Sequence, residues 1–431
     1  MTCPIFMVAA PASRQGKTLI SASLARLYQQ QGYQVRVFKL GPDFLDPKIL
    51  ECASGQPVNN LDLWIMGETY CRTQLLEARQ HNDIVLIESV MGLFDHQPSN
   101  ADFARIFNIP IVLLIDASSM GASFAAIAYG MTHFYSDLNF LGILANRVGS
   151  NSHQQLIQQN LPTDINFLGA IPRDKRLEIP ERHLGLYQPE EFKNINSYLN
   201  AAANVLLEAN ISLPITPRKK NIITQVLPKN HKANISSHII AVSKDAAFSF
   251  IYQANLDYLQ SLGCEIVFFS PLHDNKLPNC HAVWLTGGYP ECFAAELSQN
   301  IEMKKSITQH IEKDKPIYAE CGGMLYLFDT LKTQQGNKHA MCGLLAGKVI
   351  MEKKFQGIGL QELTIFDDSI RGHSFHHARV ETSIQPMQLS QHQRQSQQGE
   401  AFYANKNIYA SFLHLWFAES KKITKELFRI E

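Results

Sequence analysis

The sequence predicts a two-domain α/β protein whose first domain is a doubly wound, mostly parallel sheet. Apolar runs at residues 5–10, 35–40, 84–87, 111–115 and 140–145 recur at the spacing of βαβ units, with helical stretches between them. The carboxyl ends of these runs gather acids: Asp43 and Asp46, Glu88 and Asp95, then Asp116. Open α/β sheets take their ligands at that edge. A second strand, turn and helix starts afresh at Ile317, beyond a polar, proline-bearing, basic stretch. With 431 residues the chain is long enough for two cores. The expected division is residues 1–205, a linker at 206–237 that includes Leu213–Lys220 and Leu227–Lys232, and a second α/β domain at 238–431.

The first apolar run leads through Pro11–Gln15 to Gly16-Lys17-Thr18, and helical periodicity follows from Leu19 to about Gln31. Strand, glycine turn, Lys-Thr and helix make a phosphate cradle: backbone amides surround the phosphates, Lys17 adds charge and Thr18 can reach Mg²⁺. The strict pattern wants a glycine five residues before Gly16, and Pro11 stands there. A phosphate cradle with carboxylates at the same edge implies a Mg²⁺-nucleotide, because hard cations take oxygen ligands. Lys39 and Asp43 stand out within Phe38–Pro47, a densely specified loop beside the cradle strand.

In the second half, Ile317-Tyr-Ala-Glu-Cys-Gly-Gly-Met-Leu-Tyr326 reads as a short strand, a cysteine elbow and a helix. The elbow predicts an exposed thiol at Cys321, with glycines that admit a substrate close to the backbone. The helix N-terminus is expected to favour the thiolate. A proton acceptor is offered by His414, about ninety residues on in the apolar segment Tyr409–Phe417. Gly287 and Gly288, at the end of the Trp284–Pro290 strand, can supply amides to a developing oxyanion.

That order of parts resembles the class I, triad-type glutamine amidotransferase domain over about residues 238–431. Most members of that class carry a glutamate two residues after the histidine, where this chain has Trp416. The first half is similar to the P-loop amide-ligase domain shared with dethiobiotin synthetase. Together the halves resemble the cobyrinic acid a,c-diamide synthase family. The resemblance is carried by Phe38–Pro47, Asn60–Trp64, Val90–Asp95, Ile171–Asp174, Pro180–Gly185, Ala247–Phe250, Phe269–Leu272, Gly287–Glu291, Ala319–Gly323 and Gly372–His376. Arg14, Gln15, Ser89, His96, Ser374 and Trp416 depart from the family's pattern.

The resemblance implies ATP-dependent, glutamine-hydrolysing amidation of the a and c acetate groups of cobyrinic acid through acyl phosphates. On that reading Gly16, Lys17 and Thr18 hold the nucleotide, and Thr18, Asp46 and Glu88 contact Mg²⁺. Lys39, Asp43 and a catalytic Asp95 sit by the acceptor carboxylate. Cys321 attacks glutamine, Gly287 and Gly288 hold the oxyanion, and His414 relays the proton. Hydrogenobyrinate, nickel-sirohydrochlorin, or a regulatory homologue without turnover stay open beside it.

With 39 basic and 39 acidic residues the formal net charge is zero, which argues against a nucleic-acid surface. No apolar run approaches eighteen residues and no export signal opens the chain, so a cytoplasmic protein with no membrane partner is expected. The eight cysteines show no CxxC spacing and read as reduced thiols, all but Cys321 as buried hydrophobes. The expected partners are therefore small molecules: a corrin carboxylate, L-glutamine and ATP, with a homodimer as the assembly left open. The glutamine-rich run at 385–398 reads as a surface loop.

Overall fold

A computed structural model describes residues 3–178, 194–213, 215–218, 238–394 and 398–431. The chain divides into two compact units, Met1–Leu227 and Pro228–Glu431. The Pro180–Gly185 motif and Leu227–Lys232 lie outside the described residues.

The first unit runs β1 (Ile5–Ala9), α1 (Lys17–Gln30), β2 (Val35–Leu40), α2 (Asp46–Ser54), β3 (Asn59–Leu61), α3 (Gly67–His81) and β4 (Ile84–Glu88). It continues with α4 (Asn100–Phe107), β5 (Ile111–Asp116), α5 (Ser123–His133), β6 (Phe140–Val148), α6 (Asn151–Asn160), β7 (Phe167–Pro172) and α7 (Ile195–Glu208). All seven strands are parallel in the order β3-β2-β4-β1-β5-β6-β7. Strand alternation sorts the core into two layers. Val112 and Leu114 of β5 pack with Phe6, Val37, Leu24 and Leu206. Leu113 and Ile115, one residue out of phase, pack with Phe124, Ala128 and Ile157. Because both faces of β5 are covered, the strand is apolar throughout, which made it legible as an unbroken run.

The strand β3 was not expected. Its asparagines have poor strand propensity, and tertiary bonds hold it instead: the Asn60 amide donates to the carbonyls of Gly41 and Asp43 at 2.9 and 2.8 Å. Past α7 the described chain stays with this unit, as the Ser212 amide donates to the Leu168 carbonyl and the Arg218 amide to the Asp83 carbonyl.

The second unit contains β8 (His238–Ser243), α8 (Gln253–Ser261), β9 (Cys264–Phe269), β10 (Ala282–Leu285), α9 (Ala294–Gln299), α10 (Ile301–Glu312), β11 (Ile317–Glu320) and α11 (Gly322–Leu327). Its main sheet has seven strands: Gln388–Leu389, Ala401–Asn405, Ile408–Ser411, β11, β10, β8 and β9. From Ile408–Ser411 to β9 the pairing is parallel, and the outer two strands are antiparallel. Two further four-stranded sheets are present, one of which pairs Gly357–Ile365, Asp368–His376 and His414–Leu415.

Two sequence expectations fail in this unit. The glutamine-rich run lies at the surface as expected, with Gln388, Leu389 and Gln391 exposed, but Gln388–Leu389 and Gln391–His392 are short strands that join sheets rather than loop. Ser390 and His392 turn inward: the Ser390 hydroxyl donates to the buried Gln361 Oε1 at 2.6 Å and His392 Nε2 lies 3.0 Å from the Ile358 carbonyl. Nor are all the remaining cysteines buried. All eight are free, with Cys292 exposed and Cys52 and Cys342 half-buried. Among the described residues no helix is long and apolar enough to cross a membrane.

Candidate active sites

The phosphate cradle of the first unit grows from the end of β1. Gly16 has φ 91°, and a Cβ there would lie 2.5 Å from Asn146 Nδ2, so both conformation and space call for glycine. Lys17, the first residue of α1, is 7 % exposed, and its ammonium donates to the carbonyls of Ala12 (3.1 Å) and Met91. Burial, and then the neighbouring Lys39 charge, bring Lys17 down to about 8. Its charged form binds phosphate, so nucleotide affinity should weaken as pH rises through that value. Calorimetric titration from about pH 7 to about pH 9 should show affinity falling by up to about tenfold per unit above it. A flat profile would remove Lys17 from the phosphate contact.

Strand register assembles the rest. Lys39 on β2 pairs with Glu88 on β4, and Glu88 pairs with Val8 on β1. The Lys39 ammonium accordingly donates to Glu88 Oε1 at 2.9 Å and to Asp46 Oδ2 at 2.6 Å, with Asp43 Oδ2 at 3.9 Å. The Thr18 hydroxyl donates to the same Glu88 oxygen at 2.8 Å. One network therefore holds all the residues that the sequence divided between metal and substrate. Burial would lower Lys39, but Asp46, Glu88 and Asp43 outweigh it and hold the lysine protonated. Lys39 in turn outweighs burial at Asp46 and keeps that carboxylate low. Burial raises Glu88, while burial and the Asp46 charge raise Asp43 to about 7.

Within this network of three acids, Glu88 Oε2 is buried without a hydrogen-bond partner. Thr18, Asp46 and Glu88 thus fit a divalent cation that fills its remaining positions with phosphate oxygens and water. Among the described residues no group of three or more His, Cys, Asp or Glu is placed to hold a metal ion by itself. Asp95 sits differently from these acids. It is exposed, and Oδ2 accepts the Gly92 amide at 2.8 Å. It does not line the cavity of about 1380 Å³ that Gly16, Lys17, Thr18, Lys39, Asp43 and Glu88 border, although its charge reaches Lys17.

The same cavity is bordered by Asn146 and Arg147, which the sequence reading missed. The Asn146 amide donates to the Gln15 carbonyl at 2.8 Å, and Arg147 bonds Asp116 and the Arg14 carbonyl. Their signal was positional, since they follow directly on the fifth apolar run. Arg14, Met91, Ser119 and Arg147 all line this cavity with φ between 52° and 64°. Non-glycine residues held there cost on the order of 1 kcal/mol or more each, and such strain gathers at functional sites.

In the second unit β11 ends at Glu320, and Cys321 turns the chain with φ 43° and ψ −107° before α11. The glycines that follow are required by close approach. A Cβ on Gly322 would lie 2.9 Å from the Gly288 amide nitrogen and 2.8 Å from Pro290 Cδ, and one on Gly323 would run into the Leu285 carbonyl. Across the site, a Cβ on Gly287 would run into the His414 ring. The Gly287–Gly288 turn is therefore bordered by the cysteine elbow and by the imidazole. His414 is 2 % exposed and lies opposite His373 in an antiparallel pair, the rings stacked at 5.0 Å.

The elbow is as expected, but the state of the thiol is not. Cys321 is 5 % exposed, and burial, then the charge of Glu291, push its thiol up rather than down. The helix behind it has only six residues, all buried, and cannot offset that desolvation. The sequence reading also missed Glu320, which lies beside the His414 imidazole.

Residues 6–186 match the CobQ/CobB/MinD/ParA nucleotide binding domain, and residues 239–422 match the CobB/CobQ-like glutamine amidotransferase domain. The hydrogenobyrinate a,c-diamide synthase of Stutzerimonas stutzeri (strain A1501) is 43 % identical, over 99 % of each chain. The chain belongs to the a,c-diamide synthase family. Other members of that family include the hydrogenobyrinate a,c-diamide synthase of Pseudomonas aeruginosa, 42 % identical over 99 % of this chain and 97 % of that one. The cobyrinate a,c-diamide synthase of Herminiimonas arsenicoxydans is 37 % identical over the same shares. In this member of the family the nucleotide-binding match begins within β1 and the amidotransferase match within β8.

Proposed function

We propose that the chain amidates the a and c acetate carboxylates of cobyrinic acid, with ATP activating the carboxylate and glutamine supplying ammonia. The observation that carries this is the pairing, in one chain aligned end to end with a,c-diamide synthases, of a lysine-threonine phosphate cradle with a cysteine–histidine elbow.

A carboxylate does not react with ammonia in water, because the leaving group would be oxide. Transfer of the γ-phosphoryl group makes an acyl phosphate, and ammonia then displaces phosphate. Phosphoryl transfer asks mostly for positioning and charge neutralisation. Lys17 holds phosphate oxygens, while Thr18, Asp46 and Glu88 would hold Mg²⁺, which would neutralise phosphate charge there. Lys39, with Asp43 behind it, faces the acceptor carboxylate, and Asp95 tunes Lys17 from the adjoining loop. In the second unit Cys321 sulfur bonds to the glutamine amide carbon, and its proton passes to His414 and on to the departing nitrogen. Ammonia leaves and water cleaves the thioester to glutamate. The amides of Gly287 and Gly288 stabilise the oxyanion.

A second reading, metal-free hydrogenobyrinate as the acceptor, is favoured by the names of the relatives at 43 % and 42 % identity. Each acid incubated with the protein, ATP, Mg²⁺ and glutamine, then followed by mass spectrometry, tests both. Conversion of two acids to amides, dependent on ATP, is expected with at least one macrocycle, and the faster one names the acceptor. Glutamine hydrolysis with neither macrocycle converted would overturn the corrin assignment.

A further inference from the structure

We infer that Glu320, the residue immediately before the nucleophile, is the positioning carboxylate of His414, in place of the glutamate that other triad-type amidotransferases carry two residues after their histidine. The inference rests on the glutaminase reading of Cys321 and His414.

Glu320 Oε2 lies 3.6 Å from His414 Nδ1, and both residues are 2 % exposed. Its other oxygen is fixed twice: Oε1 accepts from the Tyr318 hydroxyl at 2.9 Å and from the Leu415 amide at 3.1 Å. Tyr318 is fully buried, and burial with the Glu320 charge raises its phenol far enough to keep it a donor. The carboxylate is thereby tied to its own strand and to the backbone beside the histidine. At 3.6 Å the contact is longer than a hydrogen bond. Such contacts in ligand-free sites tighten when the reaction puts charge on the imidazole.

Aromatic rings flank the imidazole, Phe250 among them at 6.1 Å. His373 stacks on one face, and Gly287 leaves no room for a side chain against the ring. His373 cannot act as the charge partner. Burial and the His414 charge keep it neutral, and the Tyr252 hydroxyl occupies its Nδ1 at 3.1 Å. Glu400 is engaged by His376 Nε2 at 2.9 Å, while it, Glu291 and Glu320 all add negative charge around the thiol. Trp416 is buried edge-on against Tyr252 at 5.9 Å, an apolar side chain where the usual glutamate would stand. On this assignment Nδ1 faces Glu320 and Nε2 takes the thiol proton. Cys321 lies just past the end of β11 with φ 43°, outside the extended backbone, so its side chain is not bound to the alternation that Glu320 follows.

The test is Glu320→Gln in the full chain, a near-isosteric change that keeps one oxygen for Tyr318 and Leu415. Glutamine-dependent kcat should fall by about 10²- to 10⁴-fold with KM little changed. Amidation from ammonia should be unaffected. The acidic limb of the glutaminase pH profile should move to lower pH, because the imidazolium loses its anion. Glu320→Asp should recover part of the loss, and Tyr318→Phe should lower kcat in the same direction. A Glu320→Gln variant with unchanged kcat and an unmoved acidic limb would overturn the inference, as would equal losses with glutamine and ammonia. Should Glu320→Gln fail to fold, the Tyr318→Phe profile decides, an unmoved one counting against the inference. No glutamine hydrolysis by the unaltered protein would instead sink the glutaminase reading itself.

Discussion

Lys17→Ala is expected to lower amidation by about 10³-fold or more, and equally with glutamine or free ammonia as the nitrogen source. The reason is where the lysine stands. It opens α1 directly after the left-handed Gly16, so its ammonium is set against the cradle by the backbone. It lies buried, bonded to the carbonyls of Ala12 and Met91. A nucleotide replaces those two neutral acceptors with phosphate oxygens, a charge-assisted exchange that alanine cannot make. Because the acyl phosphate must form before any nitrogen is accepted, the source of nitrogen should not matter. Nucleotide titration and product analysis on the same preparation would separate lost binding from lost transfer. If ammonia-dependent product forms at the unaltered rate, the phosphate-cradle assignment fails.

Cys321→Ala should behave in the opposite way. Glutamine-dependent turnover should drop by about 10⁴-fold or more, since removing a nucleophile leaves only binding and oxyanion stabilisation. Ammonia-dependent amidation should continue, because the residues of the phosphate cradle all lie in the first unit. Alanine keeps the Cβ, so the elbow against Gly287–Gly288 retains its packing. The thiol starts protonated, so the unaltered enzyme relies on His414 to remove its proton during attack. Should both activities vanish together, the division of labour between the units would be wrong.

The elements that could be read beforehand share one property: their signal is local. Unbroken apolar runs marked β1, β2, β4, β5 and β6 because both faces of that sheet are covered. Gly-Lys-Thr and Cys-Gly-Gly marked two turns because backbone conformation and close approach act within a few residues. What escaped depends on register. Glu320 meets His414 only because β11, Ile408–Ser411 and His414–Leu415 are aligned by pairing across distant sequence. Lys39 meets Glu88 through the register of β2 with β4. The thiol's protonation also escaped, since desolvation and the charges of Glu291, Glu400 and Glu320 sum over residues far apart in the chain. In Gln388–His392 composition rightly suggested exposure but could not show the pairing with Ala401–Phe402 and Gln361–Glu362 that makes short strands there.

The buried, protonated sulfur of Cys321 has a consequence for how the protein ages. Peroxide and other electrophiles attack the thiolate, and a sulfur once carried to sulfinic acid is lost to catalysis. A nucleophile kept as a shielded thiol until its own substrate arrives is spared that chemistry between turnovers. The burial that keeps the thiol protonated therefore also shields it from oxidants.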